Sequence, residues 1–334
     1  MCDGLRVRGL HVSYGPVRAV SALDLDVARG EIVAVLGRSG SGKSSLLRAV
    51  AGLVKPSAGT VSWDGADVTR RRTPKRDFGL LASAPSLFPK YDVAGNVAYG
   101  LGSWARGDRE RRVAELLGRL GLAEFADARV DALTDEQGRR VALARSVAPR
   151  PRLLLLDEPL GGMGGRERAN LGSELVALLR AEGVPALYVT HAVDEAFAVA
   201  DRVLFLQDGC VVQSGTPRDL REHPASRTVA EHLGFAPFLA GSADGETVTT
   251  ALGTVPGPGL TGPVLVGLGP EGLRLAAAGQ PLRVRSESAR PGFVEVAVRL
   301  PDGQTGYLRV PAKQGRPEVG VMLDAAGCVV VPAE

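Results

Sequence analysis

Gly37-Arg38-Ser39-Gly40-Ser41-Gly42-Lys43-Ser44 follows directly on the apolar run Ile32-Val33-Ala34-Val35-Leu36. The eight residues fit the pattern G-x-x-x-x-G-K-[ST] in full. A buried strand therefore feeds a tight glycine-rich turn, and Lys43 to Ala51 reads as the helix that the turn opens. Glycines let the backbone wrap a phosphate, while amide N–H groups and the helix N-terminus supply partial positive charge. The pattern predicts that residues 37–45, including Ser45 at the helix start, bind a nucleoside triphosphate. Lys43 would contact the β- and γ-phosphates, and the Ser44 hydroxyl would ligate Mg²⁺.

Two later strands complete the pattern. Arg152-Leu153-Leu154-Leu155-Leu156-Asp157-Glu158-Pro159 carries four consecutive leucines, as a strand buried on both faces does. Its two terminal acids fall at the sheet edge where a nucleotide-bound metal is held. Asp157 is the candidate metal ligand, and Glu158 is placed to polarise an attacking water. Leu187-Tyr188-Val189-Thr190-His191-Ala192 is a strand ending at a lone histidine. Taken alone, His191 would be a structural residue; after the other two strands it becomes a candidate γ-phosphate sensor.

Composition bounds what the chain can be. Its 334 residues suit two domains, and a mean hydropathy of +0.06 is ordinary for a soluble protein. No apolar run approaches the ~18 residues of a membrane span. The N-terminus lacks the basic and apolar regions of a signal peptide. Three distant cysteines, Cys2, Cys210 and Cys328, fit a reduced cytosol. A net charge of only +3 gives no case for nucleic acid. His11, His223 and His232 show no zinc-like spacing.

Up to about residue 240 the chain alternates short apolar runs with helical patterns, which argues for an α/β domain with a largely parallel sheet. Leu5–Val12, Leu23–Val27 and Gly59–Gly65 read as further strands. Residues 92–150 read as a mainly helical subdomain. Residues 241–334 are rich in Gly, Pro and Val, with short runs such as Pro263–Val266 and Phe293–Leu300, and read as a small all-β domain of barrel type. Its two aromatics, Phe293 and Tyr307, are too few for the stacking platforms with which such barrels bind single strands.

The three motifs in this order resemble the ATP-binding subunits of ABC transporters. Supporting matches are Tyr14, where that family stacks an aromatic on adenine, Gln137, and the run Arg140-Val141-Ala142-Leu143-Ala144-Arg145. Ser86-Leu87-Phe88-Pro89 with Asn96-Val97-Ala98-Tyr99 is similar to the segment that meets the membrane subunit. Gly269-Pro270-Glu271-Gly272-Leu273 is similar to the β-barrel domain (OB-like, of TOBE type) appended to importer ATPases. The resemblance implies ATP and Mg²⁺ as cofactors and a place on the cytoplasmic face of the membrane. It also implies a permease partner, an extracytoplasmic solute-binding protein acting indirectly, and pairing as a homodimer or heterodimer. Within the family, Ala94-Gly95-Asn96-Val97-Ala98-Tyr99-Gly100 looks most like ferric-iron importers, with polyamine, thiamine and sulfate importers close.

The chain departs from that family at three places. Members pair each phosphate loop with a Leu-Ser-Gly-Gly-Gln signature from the partner subunit; here the segment reads Leu133-Thr134-Asp135-Glu136-Gln137. One carboxylate ~4 Å from a phosphate at an effective dielectric of ~20 costs up to about 4 kcal/mol before screening. The same residues make a sound helix start, because Thr134 and Gln137 form a capping box and two acids favour the helix dipole. The family's metal-touching glutamine is replaced by Ser83, whose hydroxyl reaches about 2.5 Å less far. After Glu158, the turn that crosses the dimer reads Gly161-Gly162-Met163-Gly164-Gly165, with Gly164 in place of an aspartate. Groups acting on the chain's own nucleotide are thus largely kept, and groups offered to a partner are altered. Slow or partner-dependent hydrolysis follows as one expectation; a regulatory subunit with little hydrolysis is the alternative.

Overall fold

The computed structural model describes residues 4–84 and 86–333. Two compact units divide between Pro217 and Arg218. The first runs β1 (Gly4–Tyr14), β2 (Val17–Ala28), β3 (Ile32–Leu36), α1 (Lys43–Ala51), β4 (Ala58–Trp63), β5 (Ala66–Asp67) and β6 (Phe78–Leu81). It continues through α2 (Val93–Ala98), α3 (Arg106–Arg119), α4 (Asp135–Val147), β7 (Leu153–Asp157) and α5 (Gly165–Glu182). It closes with β8 (Ala186–Thr190), α6 (Val193–Val199), β9 (Arg202–Gln207) and β10 (Cys210–Gly215).

β3 lies inside a six-stranded sheet of order β10-β9-β3-β8-β7-β6. It is parallel to both β8 and β9, with Leu36 opposite Thr190 on one side and Phe205 on the other. All five of its residues are buried, as a strand covered on both faces requires. A second sheet, β2-β1-β4-β5, is antiparallel. Its apolar residues share one core with α1 and the main sheet, among them Leu5, Val7, Leu23, Leu46, Val50 and Leu155. The C-terminal ends of β3, β7 and β8 therefore share one edge of the main sheet, and the three motifs sit on that edge.

Arg76 closes the far end of α1. Its buried guanidinium donates to the carbonyls of Ala49 and Val50 at 3.0 and 2.7 Å, and to those of Thr69 and Arg71 at 2.8 and 3.0 Å. A cation on the last carbonyls also matches the helix dipole. Gly52 ends the helix at φ 78°, and a Cβ there would lie 2.5 Å from the Arg76 side chain.

The second unit contains α7 (Pro217–Glu222, which begins at the division), α8 (Arg227–His232), β11 (Phe238–Asp244), β12 (Thr247–Thr250), β13 (Gly253–Pro256) and β14 (Thr261–Leu268). β15 (Leu273–Arg290), β16 (Phe293–Arg299), β17 (Thr305–Val310), β18 (Glu318–Leu323) and β19 (Cys328–Pro332) follow. The strands form two antiparallel sheets, β13-β12-β11-β14-β19 and β17-β16-β15-β18, around one apolar core. The division falls earlier than the composition change at Gly241, and β11 runs through that point. The reason is packing: Ala230 and Phe235, which precede the composition change, join Phe238, Val329 and Val331 in one cluster.

Cys210 is exposed and Cys328 half-buried, both free thiols; Cys2 lies outside the described residues. Among the described residues no helix is long and apolar enough to cross a membrane.

Candidate nucleotide site

The phosphate loop leaves β3 at Gly37 and is packed from behind by backbone. A Cβ on Gly37 would lie 2.2 Å from the Leu206 carbonyl oxygen, and one on Gly42 would lie 2.2 Å from that of Ala19. Both glycines also have positive φ, 159° and 100°, so only glycine fits at Gly42 on either ground. Arg38, Ser39 and Gly40 form the exposed tip, and Ser41 and Lys43 are buried.

Lys43 folds back over this loop. Its ammonium donates to the carbonyls of Gly37 and Arg38, each at 2.8 Å. Burial lowers its pKa, opposed by the charges of Glu158 and Asp157. The Ser41 hydroxyl is buried with no hydrogen-bond partner, an orphaned group that a ligand oxygen would satisfy. Ser45 lies on the half-buried first turn of α1.

Ser44 and Asp157 come together from elements 113 residues apart, with Oγ donating to Oδ1 at 3.0 Å. A hydroxyl and a carboxylate at one point make the hard oxygen pair that suits Mg²⁺, whose remaining ligands come from phosphates and water. Next along the edge, His191 Nδ1 stands 3.1 Å from Glu158 Oε1. Glu158 itself adopts φ 48°, a left-handed conformation uncommon for a residue with a side chain. Its N–H donates to the Val189 carbonyl at 2.8 Å, which fixes the turn after β7 to β8.

Lys43, Ser44, Asp157, Glu158 and His191 are thus gathered at one sheet edge. Tyr14 stands at the exposed end of β1, 43% accessible and outside this cluster. Ser83 lies in the exposed segment after β6. One residue of this region was not visible in the motifs. Arg139 on α4 donates to the carbonyls of Ser83 and Pro159, each at 3.3 Å, and so bridges that segment to the turn after Glu158. Its place beside Gln137 on one helix was the only hint in the sequence.

The helix start at α4 forms as its residues dictate. Thr134 Oγ1 accepts from the Gln137 N–H at 3.2 Å, and Gln137 Oε1 accepts from the Thr134 N–H at 2.9 Å. The glycine stretch after Glu158 is pinned rather than free. Gly161 N–H donates to the Glu158 carbonyl at 3.0 Å, and the Arg168 guanidinium donates to that of Met163 at 3.0 Å.

A family model described as ABC transporter matches residues 20–161. The Fe(3+) ions import ATP-binding protein FbpC of Streptomyces coelicolor is 42% identical, over 98% of this chain and 97% of its own. The chain belongs to the ATP-binding subunits of ABC importers.

ABC ATP-binding subunits are ATPases that couple nucleotide to transport, and this one binds ATP and is an ATPase in that role. The similarity extends to other importers. The sulfate/thiosulfate import ATP-binding protein CysA 2 of Chromobacterium violaceum is 42% identical over 72% of this chain and 66% of its own. Among solved structures, CbiO1 from Clostridium perfringens, part of the ABC transporter complex cbiONQ, superimposes with a TM-score of 0.62 at 27% identity. That match covers 66% of this ABC subunit and 91% of CbiO1.

Proposed function

We propose that this ABC subunit powers uptake of ferric iron, from the cytoplasmic face of the membrane and bound to a permease. The iron assignment is carried by the relative from Streptomyces coelicolor, which matches over nearly its whole length, second unit included. An extracytoplasmic solute-binding protein would deliver the cargo. Two ATP-binding subunits would pair, as a homodimer or a heterodimer.

In this reading the clustered side chains divide the work. Residues 37–45 cradle the phosphates, with Lys43 exchanging its two loop carbonyls for phosphate oxygens. Tyr14 takes the adenine. Ser44 and Asp157 would hold Mg²⁺, which supplies charge neutralisation on the phosphates. Glu158 accepts a hydrogen bond from the attacking water and orients it. His191, held beside Glu158 at 3.1 Å, contacts the γ-phosphate. The observation that carries this mechanism is the convergence of the Ser44–Asp157 and His191–Glu158 pairs on the edge reached by the phosphate loop.

The test is co-expression with a candidate permease from the same genome, followed by ATP-dependent accumulation of radiolabelled iron in vesicles. Glu158→Gln should abolish accumulation while ATP binding persists. Uptake of sulfate or a polyamine in place of iron would overturn the cargo assignment. A second reading, a nucleotide-binding regulatory subunit with little hydrolysis, is favoured by one observation. Asp135, in the signature segment, is exposed, whereas its neighbour Glu136 is paired with Arg140.

A further inference from the structure

Behind His191 lies a buried polar cluster that the proposed chemistry leaves unused. Tyr188 and Thr190 are two apart on β8, so their side chains leave the same face of the strand. Both are buried, at 0% and 1% exposure, and so is Glu195 at 7%, the third residue of α6. The Tyr188 hydroxyl donates to one carboxylate oxygen of Glu195, and Thr190 Oγ1 donates to the other at 3.1 Å. Thr190 Oγ1 in turn accepts the N–H of Ala192 at 3.0 Å.

The consequence is local. His191 sits between Thr190, whose side chain is held by Glu195, and Ala192, whose N–H is held by Thr190. Ala192 starts α6 with no side-chain cap of its own, so the Thr190 hydroxyl is what fixes the entry into the helix. A carboxylate that accepts two hydroxyl hydrogen bonds defines both donors more tightly than neutral partners do. Leaving a buried hydroxyl unpaired carries a cost that favours keeping the bracket closed.

We propose that Glu195 is a positioning residue for ATP hydrolysis: through Thr190 it brackets the His191 turn and so sets where the imidazole stands relative to Glu158. The carboxylate of Glu195 is engaged by Tyr188 and Thr190, so it acts on the imidazole through Thr190. The inference rests on the reading of His191 as the γ-phosphate contact, but the bracket itself does not. Loss of the bracket releases the imidazole from Glu158 without disturbing the phosphate loop, which leaves β3 rather than β8.

The experiment uses the full chain, selectively labelled at histidine. With only four histidines, the His191 ring signals are identified as those lost in His191→Ala. Thr190→Val and Glu195→Ala should each shift or broaden the His191 signals and leave those of His11 in place, while Glu195→Gln, which still accepts from Tyr188, should largely restore them. Unmoved His191 signals in Thr190→Val overturn the proposal. Thr190→Val exchanges a hydroxyl for a methyl of similar size, so it serves if Glu195→Ala fails to fold.

Single-turnover hydrolysis and ATP affinity supply the second readout. The rate should fall about tenfold in Glu195→Ala, the size of one lost hydrogen bond to a charged group, with ATP affinity within about twofold of the parent. In a His191→Ala background the same change should cost nothing further. A full additional loss there overturns the positioning role. If His191→Ala leaves turnover intact while the His191 signals still respond to Thr190→Val, the catalytic reading of His191 fails and the bracket stands.

Discussion

Arg140 Nη2 lies 2.9 Å from Glu136 Oε1, and the same guanidinium reaches Glu174 Oε1 on α5 at 3.0 Å. One of the two acids in the signature segment is therefore drawn into an internal brace between α4 and α5. Its neighbour Asp135 is exposed and outside that brace. The two positions, equivalent in the sequence, differ in charge balance.

Asp135→Gly should therefore raise steady-state ATPase more than Glu136→Gly does. In the proposed pair of subunits this carboxylate would face a phosphate, so its removal would relieve up to about 4 kcal/mol before screening, and a gain of about tenfold in rate is expected once Mg²⁺ screening is included. Glu136→Gly instead frees Arg140 from one partner and should lower stability. The assay is phosphate release at saturating Mg-ATP with Glu158→Gln as blank. Turnover of the unmodified chain near the enzyme median of ~10 s⁻¹ would show that the acidic segment does no harm.

Lys43→Ala should weaken ATP binding by at least about tenfold, in line with loss of a charge-assisted contact to phosphate. Lys43 already spans two loop carbonyls at 2.8 Å, so its removal also loosens the loop itself. Fluorescence titration with a labelled nucleotide reads the affinity, and unchanged binding would remove Lys43 from the site.

Glu182→Ala should cost about 1–3 kcal/mol at neutral pH, because it takes from a buried guanidinium its best-buried acidic partner and leaves it Glu115, at 3.2 Å. Arg112 holds both oxygens of Glu182, at 2.8 and 2.7 Å, with side-chain exposures of 2% and 7%. The hydrogen bond from Arg112 is the main cause that lowers the Glu182 pKa below its ordinary value of 4.5. A depressed carboxylate stabilises the fold above its unfolded pKa, and that contribution is lost as pH falls through the folded value. Urea unfolding should accordingly show the gap between parent and variant narrowing as the pH drops below ordinary carboxylate values.

A chain ending at Pro217 should keep ATP affinity, whereas one ending at residue 240 should aggregate. The longer fragment retains Ala230, Phe235 and Phe238 but not Val329 and Val331, with which they form a cluster. It exposes an apolar patch and the unpaired edge of β11. Light scattering and nucleotide titration of the two fragments decide between these outcomes.

Much of the fold was readable because its signals are local. The glycine pattern located α1 at Lys43–Ala51, and the leucine run located β7 to within a residue. Thr134 and Gln137 announced their capping box through spacing alone. What escaped depends on partners distant in sequence. Arg112 meets Glu182 across 70 residues and Arg140 meets Glu174 across 34, so neither pair leaves a periodic trace. The boundary near Gly241 was misaligned with the compact units because composition records strand content, while Phe235 belongs to the second unit by packing. At the site, the residue types were legible but not the neutralisation of Glu136 or the bridge made by Arg139.

The backing of the phosphate loop also sets when it can exist. Gly42 abuts the Ala19 carbonyl on β2, Gly37 abuts that of Leu206 on β9, and Gly209 N–H donates to the Ser41 carbonyl at 3.1 Å. The pocket wall is thus assembled from segments nearly two hundred residues apart, contacts whose loop-closure entropy makes them slow to form. During refolding, helical signal should return well before nucleotide binding does. In the cell, Leu206 and Gly209 are synthesised long after the loop they back, so ATP binding would report a finished sheet.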